Sequence, residues 1–267
     1  MNRNARGSVL DRIVETKQAE VARLRREAVA LRAAAEASEA APDFEAALRA
    51  GAQVAVIAEV KRRSPSAGDI RVAVAAVDVA RTYAAGGAAA ISVLTDREHF
   101  GGSLDDLRAV VADVGIAVLR KDFTIDALQV YEARAAGAAA VLLIARILDD
   151  AELSDFAALA AELRLAALVE VHDEYEVERA LKAGARIVGV NNRDLATFTT
   201  DLAATQRLAP LVPRECLLVA ESGIATAADV RRVAQAGAGA VLVGEALMRA
   251  PDPAALLGEL GSIERAQ

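Results

Sequence analysis

Cys216 is the only cysteine in 267 residues, so no disulfide can form within the chain, and two histidines beside it cannot complete a Cys/His zinc site. That usage fits a reducing, cytoplasmic setting. Tryptophan is absent and aromatic residues make up only 3%, so the position of each ring carries weight. Long apolar runs are missing as well. The longest uncharged stretch lies between Arg81 and Asp96 and is interrupted by Gly86 and Gly87, whereas a membrane-spanning helix needs about 20 apolar residues. Near the N-terminus there is no apolar core, and acids are mixed with the arginines, which argues against a signal or transit peptide. Basic residues form no block of one sign. With 31 Lys and Arg against 38 Asp and Glu, the net charge is −7, and a nucleic-acid backbone finds nothing continuous to hold. Neither a membrane nor a nucleic acid is expected as a partner. The length suits one full domain or two small ones.

Residues from about 8 to 40 place Leu10, Ile13, Val14, Val21, Leu24 and Leu31 at steps of three, four and seven, with charges between them. This spacing predicts an amphipathic helix with one buried stripe, its arginines forming a solvated face balanced by Glu15, Glu20 and Glu27. Pro42 ends the segment, and a short helix through Phe44 and Leu48 leads to Gly51.

After Gly51 come eight short apolar runs, VAVIAEV, AAAISVL, IAVLRKDF, AAAVLLI, AALVEV, RIVGVNN, CLLVAES and GAVLVGEA, separated by segments of helical periodicity. Continuous apolar runs alternating with helices indicate parallel strands covered by helices. An Ala-Gly step recurs at Gly87, Gly137, Gly184 and Gly237, each just before every second strand, at spacings of 50, 47 and 53 residues. The repeating unit is a pair of βα modules. Four such pairs give eight strands, and the closed solution is a (β/α)8 TIM barrel over 51–267 preceded by an N-terminal helical extension over 1–50. An open doubly wound sheet is the competitor, but nothing matches its glycine-rich first turn.

In such a barrel, groups needed for chemistry sit where strands end. Here the strand ends are polar: Glu59 and Lys61 share one face after the first strand. The third ends Arg120-Lys121-Asp122-Phe123, the fifth Glu170-Val171-His172, and the sixth Asn191-Asn192-Arg193. Glu221-Ser222-Gly223 and Gly244-Glu245 end the seventh and eighth. Charges converging at close quarters shift each other's pKa values, the usual preparation for acid-base work. The glycines at the last two strand ends precede helices and suit a phosphate. Two loops exceed what a βα turn requires. One, Arg62 to Gly68, contains Pro65 and reads as a lid; the other, Thr95 to Ser103, closes on a Ser103-to-Asp106 helix cap. Phe100 and Phe123 fall at the rim, where rings suit an apolar or aromatic ligand. Tyr83, Tyr131, Phe156 and Tyr175 read as packing, His172 as a solvated loop residue rather than a catalytic one, and Cys216 as a small hydrophobe.

Taken together, EVKRRSPS, ISVLTD with FGGS, LRKDF, VLLI, LVEVHD, GVNNRDL, AESGI and VLVGEALM, with the SVLDRIVETK start, resemble the indole-3-glycerol-phosphate synthase family in order and over nearly the whole chain. The resemblance implies a carboxy-lyase of tryptophan biosynthesis. Its reaction closes the ring of 1-(2-carboxyphenylamino)-1-deoxyribulose 5-phosphate, with loss of carbon dioxide and water. It implies Lys121 as general acid, Lys61 and Glu170 as candidates for the dehydration, and Glu59 and Glu221 holding the ammonium groups. Lys61, Asn191 and Arg193 would meet the ring carboxylate. Ser222, Gly223, Gly244 and Glu245, with Ser64 from the lid, would take the phosphate, and Phe100 and Phe123 the ring. No cofactor or metal is expected, and the subunit is expected to work as a monomer or weak homo-oligomer. Two positions depart from the family pattern: His99 stands where a second aromatic is expected beside Phe100, and Asp69 where an apolar residue is commoner. The rival readings are another phosphate-binding barrel, such as an aldolase forming a Schiff base at Lys121, and a non-catalytic barrel serving as a partner subunit.

Overall fold

A computed structural model describes residues 9–194 and 197–266, so Ser8 of the SVLDRIVETK start and Leu195 of GVNNRDL lie outside the described residues. The eight apolar runs form the strands β1 (Ala55–Val60), β2 (Ala90–Leu94), β3 (Ala117–Lys121), β4 (Ala140–Ile144), β5 (Ala166–Val171), β6 (Ile187–Asn191), β7 (Leu217–Glu221) and β8 (Ala240–Val243). All neighbours pair in parallel, and β1 pairs both β2 and β8, which closes the barrel. Each of the four repeat glycines has positive φ, between 81° and 113°, as a helix-ending residue that turns the chain into a strand requires.

The two-residue period of each strand separates two cores. Outward-facing Val56, Ala58, Val60, Val118, Val188 and Val190 pack under the surrounding helices, while Ile57, Leu119, Leu142, Leu168, Val219 and Leu242 fill the barrel. At the strand starts the interior residues are small: Ala55, Ala90, Ala117, Ala140 and Ala240. Phe44 and Leu48 from the short helix α3 (Phe44–Arg49) share their cluster and plug that end. Carried two residues past the middle layer, the same parity places Glu59, Lys121, Glu170, Asn191 and Glu221 inside at the opposite end.

The N-terminal segment is not one helix to residue 40. It runs as α1 (Val9–Leu24), a 3-10 turn at Arg25–Glu27 and α2 (Ala28–Ala37). Ile13 and Val21 of the expected stripe are buried, and so is Lys17 between them, which charge alone would have placed in solvent. Two further expectations need correction. Tyr175 is 65% exposed and lies beside the Arg179 guanidinium, 5.8 Å from it, because the helix Glu174–Lys182 turns that face outward. His172 is buried, since its Nδ1 lies 3.1 Å from Glu176 Oε2 and its Nε2 3.5 Å from Glu170 Oε1. No helix among the described residues is long and apolar enough to cross a membrane.

Candidate active site at the mouth of the barrel

The C-terminal strand ends surround a cavity of about 440 Å³, a size suited to a small molecule. All fourteen residues singled out by sequence line it: Glu59, Lys61, Ser64, Phe100, Lys121, Phe123, Glu170, Asn191, Arg193, Glu221, Ser222, Gly223, Gly244 and Glu245.

Lys121 ends β3 inside the barrel, with Nζ 3.4 Å from Glu170 Oε2 and 3.4 Å from Glu221 Oε2. Burial works to lower its pKa, but the charges of Glu221, Glu170 and Glu59 outweigh it, and the ammonium form is held well above the ordinary lysine range. Asn191 Nδ2 donates to Glu170 Oε1 at 3.1 Å and so fixes the carboxylate that faces Lys121. Burial would raise the Glu170 pKa; Lys121, His172 and the Asn191 hydrogen bond reverse that, and the group stays a carboxylate. Glu59 follows the same pattern, with burial outweighed by Lys61 at 3.0 Å and then Lys121.

Glu221 is the exception. Burial dominates, Lys121 opposes it, and Glu170 and Glu59 repel a further negative charge, so its pKa is pushed up to about 8. Its Oε1 is buried with no hydrogen-bond partner among the described residues and sits over Gly189, where a Cβ would collide with it.

The folded-state pKa lies above the usual 4.5, so the native chain keeps a proton that the unfolded chain loses throughout that interval. The stability this confers is complete below about pH 4 and is lost as pH rises through 8. Glu221→Gln keeps the neutral shape. It is expected to flatten the fall in melting temperature between about pH 5 and 8, leaving the variant several degrees above the parent at the alkaline end by calorimetry.

Around this charged floor the walls differ. Phe100 and Phe123 form one side, with ring centroids 6.0 Å apart and planes tilted by 38°. Opposite them, Ser222 (φ 65°) and Gly223 (φ 78°) turn the chain after β7, and Ser222 Oγ donates to Asn191 Oδ1 at 2.9 Å. Gly244 permits close approach: a Cβ there would come within 2.6 Å of Glu59 Oε1. Arg193 leans over the mouth, bonded to Ser66 Oγ and 4.0 Å from Glu245 Oε2. Within the lid, a two-stranded ribbon pairs Arg63–Ser64 with Gly68–Asp69, and Ser64 Oγ accepts from Ala67 N at 3.1 Å, so that hydroxyl shapes the turn. Arg62 ties the lid to the next loop through Gly101 O (3.1 Å) and Asp106. Of the two departures from the family pattern, Asp69 is exposed on the ribbon and His99 meets Thr16 of α1 at 3.3 Å.

Several lining residues escaped sequence reasoning. Leu10 and Ile13 of α1 reach the cavity from outside the repeat, Leu142 and Ile144 line it from β4, and Phe198 enters from the loop after β6. Arg249 also lines it, ion-paired to Glu245 at 3.0 Å. Only for Ile144, the last residue of its apolar run, did position alone carry a signal. Arg120 and Asn192, by contrast, face outward. Arg120 pairs with Asp122 and Glu132, and Asn192 donates to Glu221 O and Ser222 O.

Residues 10–260 match the family model described as indole-3-glycerol phosphate synthase. A protein of that name from Opitutus terrae is 55% identical over 224 residues, covering 82% of this chain and 84% of its own length. Another from Polaromonas sp. is 49% identical over 261 residues, covering 96% and 99%. Among solved structures, 3-hexulose-6-phosphate synthase from Salmonella typhimurium superposes with a TM-score of 0.64 at 18% identity, covering 78% of this chain and 97% of its own, a likeness of fold alone. With the family model matched over nearly its whole length and relatives at about half identity, the chain belongs to the indole-3-glycerol phosphate synthase family.

Proposed function

We propose that the cavity converts 1-(2-carboxyphenylamino)-1-deoxyribulose 5-phosphate to indole-3-glycerol phosphate, carbon dioxide and water. The observation that carries this reading is Lys121, a half-buried ammonium held charged between Glu170 and Glu221 at the centre of the mouth. An ammonium so placed is a proton donor aimed at whatever oxygen enters the cavity.

The substrate has an aromatic ring, a ring carboxylate and a phosphate at its far end. Phe100 and Phe123 take the ring. Lys61, Arg193 and the Asn191 amide meet the carboxylate, the arginine in its two-pronged mode. The turn at Ser222 and Gly223, with Gly244, Glu245 and the lid residue Ser64, cradles the phosphate, and Arg249 adds a cation at the same edge. In the first step the aryl carbon bearing the carboxylate attacks the ketone carbon while Lys121 gives a proton to the ketone oxygen. Carbon dioxide then leaves, its bonding electrons restore the ring, and a hydroxyl remains on the new five-membered ring. Loss of that hydroxyl needs an acid, and the proton lost from the neighbouring ring methylene needs a base; Lys61 and Glu170 are the candidates for these transfers. Glu59 and Glu221 keep the two lysines aimed.

No step calls for a redox or metal cofactor. The same reading has the enzyme acting in the cytoplasm as a monomer or weak homo-oligomer. The test is direct: purified protein, given the carboxyphenylamino substrate, should produce indole fluorescence and one equivalent of carbon dioxide. Absence of turnover by folded protein rejects the reading.

A further inference from the structure

The mechanism above makes no use of Lys17, yet this side chain is fully buried between two elements that carry the aromatic wall. Its Nζ lies 2.9 Å from Asp96 Oδ2, 2.8 Å from Asp122 Oδ1 and 2.9 Å from Glu20 Oε2. Each aspartate does a second job. Asp96 Oδ1 accepts from the backbone N–H of His99 (2.6 Å) and of Phe100 (3.2 Å), which fixes the loop after β2. Asp122 Oδ1 accepts from the N–H of Phe123 at 2.8 Å, and its Oδ2 from Thr95 Oγ1 at 2.5 Å. One ammonium therefore joins the two loops that present Phe100 and Phe123. One turn earlier, Ile13 lines the cavity itself.

We propose that Lys17 is a positioning residue for substrate recognition: by bridging Asp96 and Asp122 it sets the slot between Phe100 and Phe123 and seats α1 as its third wall. The inference rests on the functional reading above, since the slot is the place assigned to the substrate ring. The physical reason is selective. Two carboxylates at this separation, both removed from water, repel unless a cation sits between them. Arg120 lies 3.2 Å from Asp122 Oδ2 and Thr95 Oγ1 donates to the same oxygen, so Asp122 keeps partners; Asp96 loses its cation, and the loop carrying Phe100 shifts relative to Phe123. The phosphate cradle lies on β7 and β8 and receives no bond from this cluster.

The test uses the full-length enzyme with Lys17→Met, and Lys17→Gln as the milder change should the first variant not fold. The KM for the carboxyphenylamino substrate is expected to rise about tenfold, with kcat within threefold of the parent and competitive inhibition by inorganic phosphate unchanged within twofold. Val21→Ala, a buried apolar position one turn beyond Lys17 on the same face of α1, serves as the control for loosened docking of the helix. It should lower the melting temperature without moving KM. An unchanged KM in a folded Lys17 variant, weakening of phosphate inhibition in step with KM, or an equal rise in KM in Val21→Ala overturns the inference. If the parent enzyme itself shows no turnover, the functional reading has failed instead, so the two failures are distinct.

Discussion

Lys121→Met is expected to lower kcat about 10³-fold, within the 10²–10⁴ range typical of a positioned general acid, while KM changes little. At 25 °C that corresponds to about 4 kcal/mol of lost transition-state stabilisation. The effect falls on kcat because the ketone oxygen gains negative character only as the ring closes, whereas the ring, carboxylate and phosphate are met by other residues. Methionine fills nearly the same volume, so little packing is lost. The electrostatic consequence is limited too. Glu59 keeps Lys61, and Asn191 and His172 still face Glu170. Lys121→Arg should not restore the rate, because a guanidinium gives up its proton far less readily and its planar fork does not fit a site built around a single Nζ. Stopped assays of indole formation provide the measurement, and borohydride treatment with substrate separates the rival chemistry. Near-parental kcat in Lys121→Met, or a reduced adduct on Lys121, would discard the general-acid role.

The inward aim of Lys121 follows from strand parity, which is a property of sequence. Given Leu119 as an interior residue, Lys121 must point into the mouth and Arg120 must not, and the same step of two yields Glu59, Glu170 and Glu221. The fourfold Ala-Gly repeat likewise specified the barrel, because a helix-ending glycine at regular spacing has few other uses. What sequence could not supply was pairing across distance. Lys17 occupies a stripe position, four residues after Ile13 and four before Val21, so a charge in an otherwise apolar row was the available signal. Its partners Asp96 and Asp122 lie far along the chain, and nothing local names them. His172 shows the same limit: a loop position predicts exposure, but Glu176 from the following helix turn meets its backbone N–H and its ring. Nor could spacing tell which of the three acidic strand ends have a lowered pKa and which a raised one. That distinction depends on which of them keeps a lysine to itself, as Glu59 keeps Lys61, and on how Glu170 and Glu221 share Lys121.

Glu170→Gln should produce the second large loss, about 10²–10³ in kcat, and its pH profile is more diagnostic than its size. Glutamine preserves shape and can still accept from Asn191, but it offers no proton-accepting carboxylate. In the parent, the pKa of Glu170 is held below 4.5, so activity that depends on the carboxylate is present above that value and declines as pH falls through the lowered pKa. The variant should lack this acid limb. Its alkaline limb should move the other way. Lys121 owes its raised pKa to Glu221, Glu170 and Glu59 acting against burial, and removing one of the three lets burial pull the ammonium pKa down, so activity is lost at lower pH than in the parent. A profile that narrows from the alkaline side while opening on the acid side is hard to obtain from loss of folded protein, which would scale the whole curve. Single-turnover experiments add an independent check. If Glu170 serves the dehydration, carbon dioxide should appear at near the parental rate while indole fluorescence lags, because ring closure and decarboxylation precede the step that needs the base. Simultaneous slowing of both products would move Glu170 to the first step, and parental activity in the variant would remove it from the chemistry altogether.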